Sequence, residues 1–240
     1  MAPAPKYSPD EQEKLILNAA IAVIEQTNLL DFSMSAIAKL AGLSMGSVYK
    51  FVQCKEDVLI ALATNMYQQR HLTYQQVLSL PLNTPQRIIA MSLLSYSKVQ
   101  MYSFDDQLES IVNTTAMMKR CSTRWVQHMV NCGEVCESTF KSFIKQAADS
   151  GELITVNHDI DEIGISTWSM MIGYFQVVRI HENWQMNQIP HDSQHNSALA
   201  PEHIHIRNMQ RLLNTFDWRE KLTSKSIVDT CKSLEQAGLR

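Results

Sequence analysis

"SMSAIAKLAGLSMGSVYKFVQCKEDVL", Ser33 to Leu59, is the stretch on which the reading of this chain turns. Two short apolar patterns flank a glycine. Ser33 stands as a hydroxyl N-cap ahead of Ile37, Ala38 and Ala41, and Gly42 follows as the residue whose left-handed backbone ends that helix. Ser44 caps a second short helix, Met45 to about Val52, carrying Val48 and Phe51. Two helices that cross this tightly need a small residue where they touch, a glycine where the chain turns, and apolar residues on the inner face of the second helix. Ala38, Gly42, Val48 and Phe51 meet those demands, and Ile37 and Ala41 are left to face a preceding helix.

That preceding helix is legible too. Ser8-Pro9-Asp10-Glu11 places a capping serine, a proline in the first helical turn and a carboxylate three residues after the cap. Ile16, Ala20, Val23 and Ile24 then recur at helical spacing, and the helix stops near Thr27-Asn28. Lys55-Glu56-Asp57 opens a long helix to about Leu78, and Pro81 and Pro85 break the chain after it. Further helical patterns run over about 86–102, 105–118, 123–149, 160–182, 203–216 and 224–237, with 185–202 as an aperiodic loop. Seven glycines and seven prolines in 240 residues leave long uninterrupted segments, so the expected fold is all-α.

Apolar content of 45% and charged content of 19% are those of a soluble globular protein. No apolar run reaches the length of a membrane span, and the first residues lack the layout of a signal peptide, which places the chain in the cytoplasm. Five cysteines at irregular spacing fit reduced thiols. Cys132 and Cys136 lie one helical turn apart, as two buried thiols or as a redox pair. His181, His191, His195, His203 and His205 cluster without the spacing of a standard metal site. No nucleophile elbow or other catalytic spacing is present. The sequence thus points to no enzyme, no metal and no cofactor.

The net charge of −3 argues mildly against nucleic acid, but its distribution is uneven. From Ser33 to Lys55 there are three lysines, Lys39, Lys50 and Lys55, and no acid, while Glu25 and Asp31 precede and Glu56 and Asp57 follow. A basic face matters more for phosphate than the whole-chain sum.

The stretch resembles the DNA-binding domain of the TetR family of transcriptional regulators. Ser33, Ile37, Ala38, Ala41, Gly42, Ser44, Gly46, Ser47, Tyr49, Lys55 and Leu59 fall on that family's pattern; Val52 stands where a phenylalanine is usual, and Cys54 where a small polar residue is. The resemblance implies an N-terminal three-helix helix-turn-helix domain, residues 1–54, and a larger helical domain, 55–240, that binds a ligand and dimerises, with the helix 55–78 connecting the two. The partners it implies are a double-stranded DNA operator, a small-molecule effector and a second copy of the chain, with no membrane.

With Val48 and Phe51 buried, the second short helix leaves Met45, Gly46, Ser47, Tyr49 and Lys50 for the major groove. Gly46 permits close backbone approach, Ser47 and Lys50 reach base edges or phosphates, and Tyr49 donates its hydroxyl to a phosphate as the resemblance implies. Ser33, Ser44 and Lys55 fix the DNA backbone at helix N-termini. Without Arg, Asn or Gln on that helix, specificity rests on Lys50, on methyl contacts from Met45 and on DNA shape.

Thirteen methionines are an unusually large share. Under the resemblance, Tyr96, Met101, Met117, Trp125, Met129, Trp168, Met171 and Phe175 line an adaptable apolar pocket, against the plainer reading that they fill the core. The segment "IGISTWSMMIGYFQVV" is apolar on nearly every side, with Gly164 and Gly173 suited to close helix approach. It is either a core helix or one half of a dimer seam made by Ile165, Trp168, Ile172, Met209, Leu212, Leu213 and Phe216. The function expected is that of a repressor released from a palindromic operator by a small apolar or amphipathic effector. An activator or thiol-redox sensor of the same fold, or a small-molecule-binding or catalytic helical domain with a vestigial helix-turn-helix, is the alternative.

Overall fold

A computed structural model describes residues 7–154, 159–184 and 198–240, in which eleven α-helices form two compact units. The first unit comprises the chain up to Gln69 together with Gln100–Glu134, and the second comprises Arg70–Val99 with Val135–Arg240.

The first unit begins with α1, Pro9–Gln26, set by the expected capping box: Ser8 Oγ accepts from Glu11 N–H at 3.3 Å and Ser8 N–H donates to Glu11 Oε2 at 2.7 Å. Its apolar stripe packs on α2, Met34–Ala41, which is followed by α3, Met45–Phe51. Ile16, Ala20, Ile37 and Val48 are fully enclosed, and each large aliphatic side chain buried this way contributes about 1.5–3 kcal/mol. The next helix is α4, Lys55–Leu78, whose part up to Gln69 belongs to this unit and lies in its core from Val58 to Met66. Val58 to Ala63 are all buried, so its first half is apolar on every side. Then α6, Asp105–Val112, α7, Thr115–Arg120, and the start of α8, Thr123–Asp149, complete the unit, with Tyr102, Phe104, Leu108, Val112 and Trp125 in the same core.

The second unit is organised around α5, Thr84–Leu93, which packs on α10, Ile204–Leu213, and α11, Ser224–Gln236, while α10 also packs on α9, Asp159–Asn183. After α8, Gly151 at φ 72° reverses the chain into an isolated antiparallel bridge, Leu153 to Trp218.

Several boundaries differ from the periodicity. The pattern over 86–102 ends as a helix at Leu93, with a single 3-10 turn at Tyr96–Lys98. The reason lies at the other end of the chain: Arg240 Nη1 donates to the Leu93 carbonyl at 2.8 Å and Ser95 N–H donates to the Leu239 carbonyl at 3.1 Å. The pattern over 105–118 is two helices, because Asn113 leaves the helix to reach Tyr67 Oη and Thr114 caps a new one through Met117 N–H. Residues 203–216 shorten to α10, with His203 as its cap. Among the described residues no helix is long and apolar enough to cross a membrane.

Candidate nucleic-acid interface

The turn between α2 and α3 rests on Gly42, whose φ of 66° and ψ of 30° lie in the left-handed region. Leu43 N–H returns to the Ala38 carbonyl at 3.0 Å and Gly42 N–H to Lys39 at 3.3 Å, so the last carbonyls of α2 are satisfied by the turn itself. Both helices carry the serine caps read from the sequence. Ser33 Oγ accepts from Ala36 N–H at 3.2 Å, and Ser44 Oγ accepts from Ser47 N–H at 3.1 Å. The Ser44 and Ser47 hydroxyls also share a hydrogen bond of 3.0 Å, which brings two expected contact residues together at one end of α3.

The faces of α3 divide cleanly. Val48 is buried and Phe51 half-buried, with the Phe51 ring edge-on to Trp125 at 5.2 Å. Tyr49 is 47% exposed, and Gly46 and Lys50 are exposed beside it. Met45 is half-buried against the core, so only part of it is available to a partner. Lys39 and Lys50 have no carboxylate partner among the described residues, which leaves the outer surface of this helix pair cationic. Lys55 is differently placed: its Nζ donates to the Leu30 carbonyl at 2.7 Å and lies 4.6 Å from the centroid of the Phe32 ring. That ammonium braces the loop before α2 and keeps further N–H donors for an anion.

Gly46 is informative because the fold does not require it. A Cβ built there meets only Ser44 Oγ, at 3.8 Å, an ordinary contact, and the residue sits within a regular helix. A glycine in a helix costs stability relative to alanine.

The structure adds a feature that sequence reasoning missed. Asp57, wholly buried, accepts Gln53 N–H at 2.9 Å on one oxygen and Ser122 N–H at 2.7 Å on the other. Trp125, expected in a pocket, is 4% exposed and donates its indole N–H to the Phe51 carbonyl at 3.2 Å. The corner between α7 and α8 thereby holds the end of α3. The signal available in the sequence was a carboxylate, Asp57, directly against the apolar run Val58–Ala63.

The fold of the first three helices, their caps and the exposed hydroxyl and lysine face set the terms for comparison with known proteins. The profile described as "Bacterial regulatory proteins, tetR family" matches residues 16–62. Those residues form a tetR-family domain. Solved structures share the fold across most of the chain. A putative TetR-family transcriptional regulator from Mesorhizobium loti is 13% identical, with 88% of this chain and 99% of that one covered at a TM-score of 0.57. A tetR-family regulatory protein from Rhodococcus is 16% identical over 87% and 98% at 0.53, and AmtR from Mycobacterium smegmatis is 14% identical over 100% and 99% at 0.52. None of the curated proteins compared matches the chain.

Outside the tetR-family domain, the residues expected to line a pocket divide between the units. Met101, Met117, Trp125 and Met129 belong to the first, and Tyr96, Trp168, Met171 and Phe175 to the second. Met117 and Met129 pack on the first core and Met171 on the second. The residues expected at a dimer seam divide by exposure. Ile165 and Trp168 are each 64% exposed on α9, and Ile172, half-buried, continues their stripe. Met209, Leu213 and Phe216 instead fill the second unit's own core at 2%, 0% and 7% exposure, with Leu212 half-buried at its edge. Met209 and Leu213, on α10, and Phe216, just past its end, thus point into the second unit's own core. Gly164 does permit close packing, with the Phe140 ring 3.7 Å from a Cβ placed there, while among the described residues nothing lies within 4 Å of a Cβ placed at Gly173.

The side chains of His181, His191 and His195 lie outside the described residues. His205 is buried, stacks on Tyr174 at 4.3 Å and meets Ser92 Oγ at 3.3 Å. Burial, then the neighbouring His203, pushes its imidazole down to about 4. Among the described residues no group of three or more His, Cys, Asp or Glu side chains is placed to hold a metal ion.

Proposed function

We propose that the protein is a homodimeric transcriptional repressor that leaves a palindromic operator when a small apolar or amphipathic effector binds. Residues 1–54 serve as the DNA-binding part and 55–240 as the effector and dimerisation part. The observation that carries the reading is the outer face of α3: Gly46, Tyr49 and Lys50 are exposed, and among the described residues nothing requires a glycine at 46. A partner whose backbone comes close to α3 supplies that requirement.

In this reading α3 enters the major groove. Tyr49 and Ser47 donate hydroxyls, Lys50 reaches a guanine edge or a phosphate, and Met45 offers its exposed part to a thymine methyl. Ser33, Ser44 and Lys55 hold the flanking phosphates. The α9 stripe of Ile165, Trp168 and Ile172 supports a dimer seam, since large apolar side chains so exposed on one helix face call for a partner surface. The methionine-rich interior supports an apolar effector, contacted either by Met101, Met117, Trp125 and Met129 of the first unit or by Tyr96, Trp168, Met171 and Phe175 of the second.

Binding of duplex DNA by the wild type, Tyr49→Ala and Lys50→Ala, measured over a series of salt concentrations, tests the reading. Weaker binding by both variants with unchanged melting curves supports it; no duplex binding by the wild type at low salt overturns it.

A further inference from the structure

Within the first unit, four contacts join the corner between α3 and α4 to the corner between α7 and α8. Trp125 Nε1 donates to Phe51 and Ser122 N–H to Asp57, and Arg120 Nε pairs with Glu56 Oε1 at 2.9 Å. The fourth is a thiol: Cys54 Sγ donates to the Arg120 carbonyl at 3.5 Å. That contact sets the Cys54 sulfur against the peptide that leads into Cys121. Cys121 Sγ donates to the Met117 carbonyl at 3.2 Å. Both cysteines are free thiols and both are half-buried, so a small oxidant reaches them more readily than the buried Cys132 and Cys231.

The surroundings hold both sulfurs as thiols. Burial raises Cys54, and burial, then the Cys54 sulfur itself, pushes Cys121 up to about 12, with Asp57 and Glu56 adding to the effect. Raised pKa values slow attack by either thiol on a peroxide, so the placement of the pair, and not its thiolate character, favours the bond.

We propose that Cys54 and Cys121 are an oxidisable pair: a hydroperoxide joins them in a disulfide, and the bond weakens the hold of α3 on DNA. The second clause rests on the regulator reading above. The Cys54 thiolate attacks the peroxide O–O bond, giving a sulfenic acid and expelling an alkoxide, or hydroxide from hydrogen peroxide, which takes up the thiol proton. Cys121 then attacks the Cys54 sulfur, and its proton leaves with the sulfenic hydroxyl as water. Two electrons pass from the two sulfurs to the peroxide; a thiol reductant reverses the change. The bond brings the sulfurs to about 2.05 Å and removes both S–H donors, so the Arg120 and Met117 carbonyls lose their thiol partners. Cys54 lies three residues beyond Phe51, and the segment between them is what fixes the end of α3.

The test uses the full chain, hydrogen peroxide, and a duplex selected by the reduced protein from random-sequence DNA. Non-reducing peptide mass spectrometry is expected to find Cys54 linked to Cys121. Duplex affinity is expected to fall at least fivefold and to recover with dithiothreitol, while Cys54→Ser and Cys121→Ser keep their affinity through the treatment. Absence of the linked peptide overturns the proposal, as does a linked peptide with unchanged affinity, or an equal loss in the two variants. A reduced protein that selects no duplex would overturn the regulator reading instead, and the linked peptide would still decide whether the bond forms. Cys54→Ala and Cys121→Ala replace the serine variants if either fails to fold.

Discussion

Gly46→Ala separates a demand of the fold from a demand of a partner. The added Cβ meets only Ser44 Oγ, at 3.8 Å, so no neighbour has to move. Replacing a helical glycine by alanine removes backbone freedom from the unfolded chain and stabilises by about 0.5–1 kcal/mol. For a chain of this size that corresponds to a rise in Tm of roughly 1–4 °C. On DNA the sign reverses: a methyl group where the backbone of α3 nears the duplex is expected to cost about 1.4 kcal/mol, a tenfold loss of affinity. Gly42→Ala supplies the opposite pattern. A left-handed φ of 66° costs a non-glycine residue about 1–2 kcal/mol, so Tm falls, while affinity of the folded protein for duplex stays within twofold. Thermal unfolding and fluorescence anisotropy with a labelled duplex read the two effects separately. Unchanged duplex affinity in a stable Gly46→Ala protein would refute the reasoning.

Lys50→Ala is expected to lower the slope of log affinity against log salt by about 0.9 if the ammonium meets one phosphate, measured by the same anisotropy titrations. Trp168→Asp, on the exposed stripe of α9, is expected to weaken self-association by at least 2 kcal/mol, about thirtyfold, in sedimentation equilibrium. Met209→Ala, in the second core, is expected instead to destabilise folding by about 2–5 kcal/mol while leaving association of the folded protein unchanged. His205 sets an acid sensitivity. Its folded imidazole is depressed to about 4 from 6.5, so the unfolded chain takes up a proton first as pH falls. Stability is lost from about pH 6.5 down to about pH 4, by roughly 3 kcal/mol in total, and chemical denaturation of His205→Phe across that window is expected to show a flatter profile.

What the sequence disclosed was local. The capping box of Ser8 and Glu11, the left-handed Gly42, the caps at Ser33 and Ser44, and the full spans of α4 and α8 all follow from residues within one or two helical turns of each other. What it withheld was made by distant partners. The end of α5 depends on Leu239 and Arg240. The inward turn of Met209 and Leu213 depends on which side of an amphipathic helix finds the second core. Periodicity defines such a stripe without naming what covers it. At the candidate site, the outward face of α3 was legible from Val48 and Phe51, but the bracing of its end by Asp57, Ser122 and Trp125 joins residues more than sixty positions apart.

Selection of duplexes by the full-length protein from a random-sequence pool tests the central claim most directly. A dimer presenting two copies of α3 is expected to enrich a palindromic site whose half-sites are centred about 10 base pairs, or 34 Å, apart or a multiple of that, with Lys50→Ala losing the enrichment. A pool that stays random at low salt, or a site enriched equally well by Lys50→Ala and Tyr49→Ala, would contradict it.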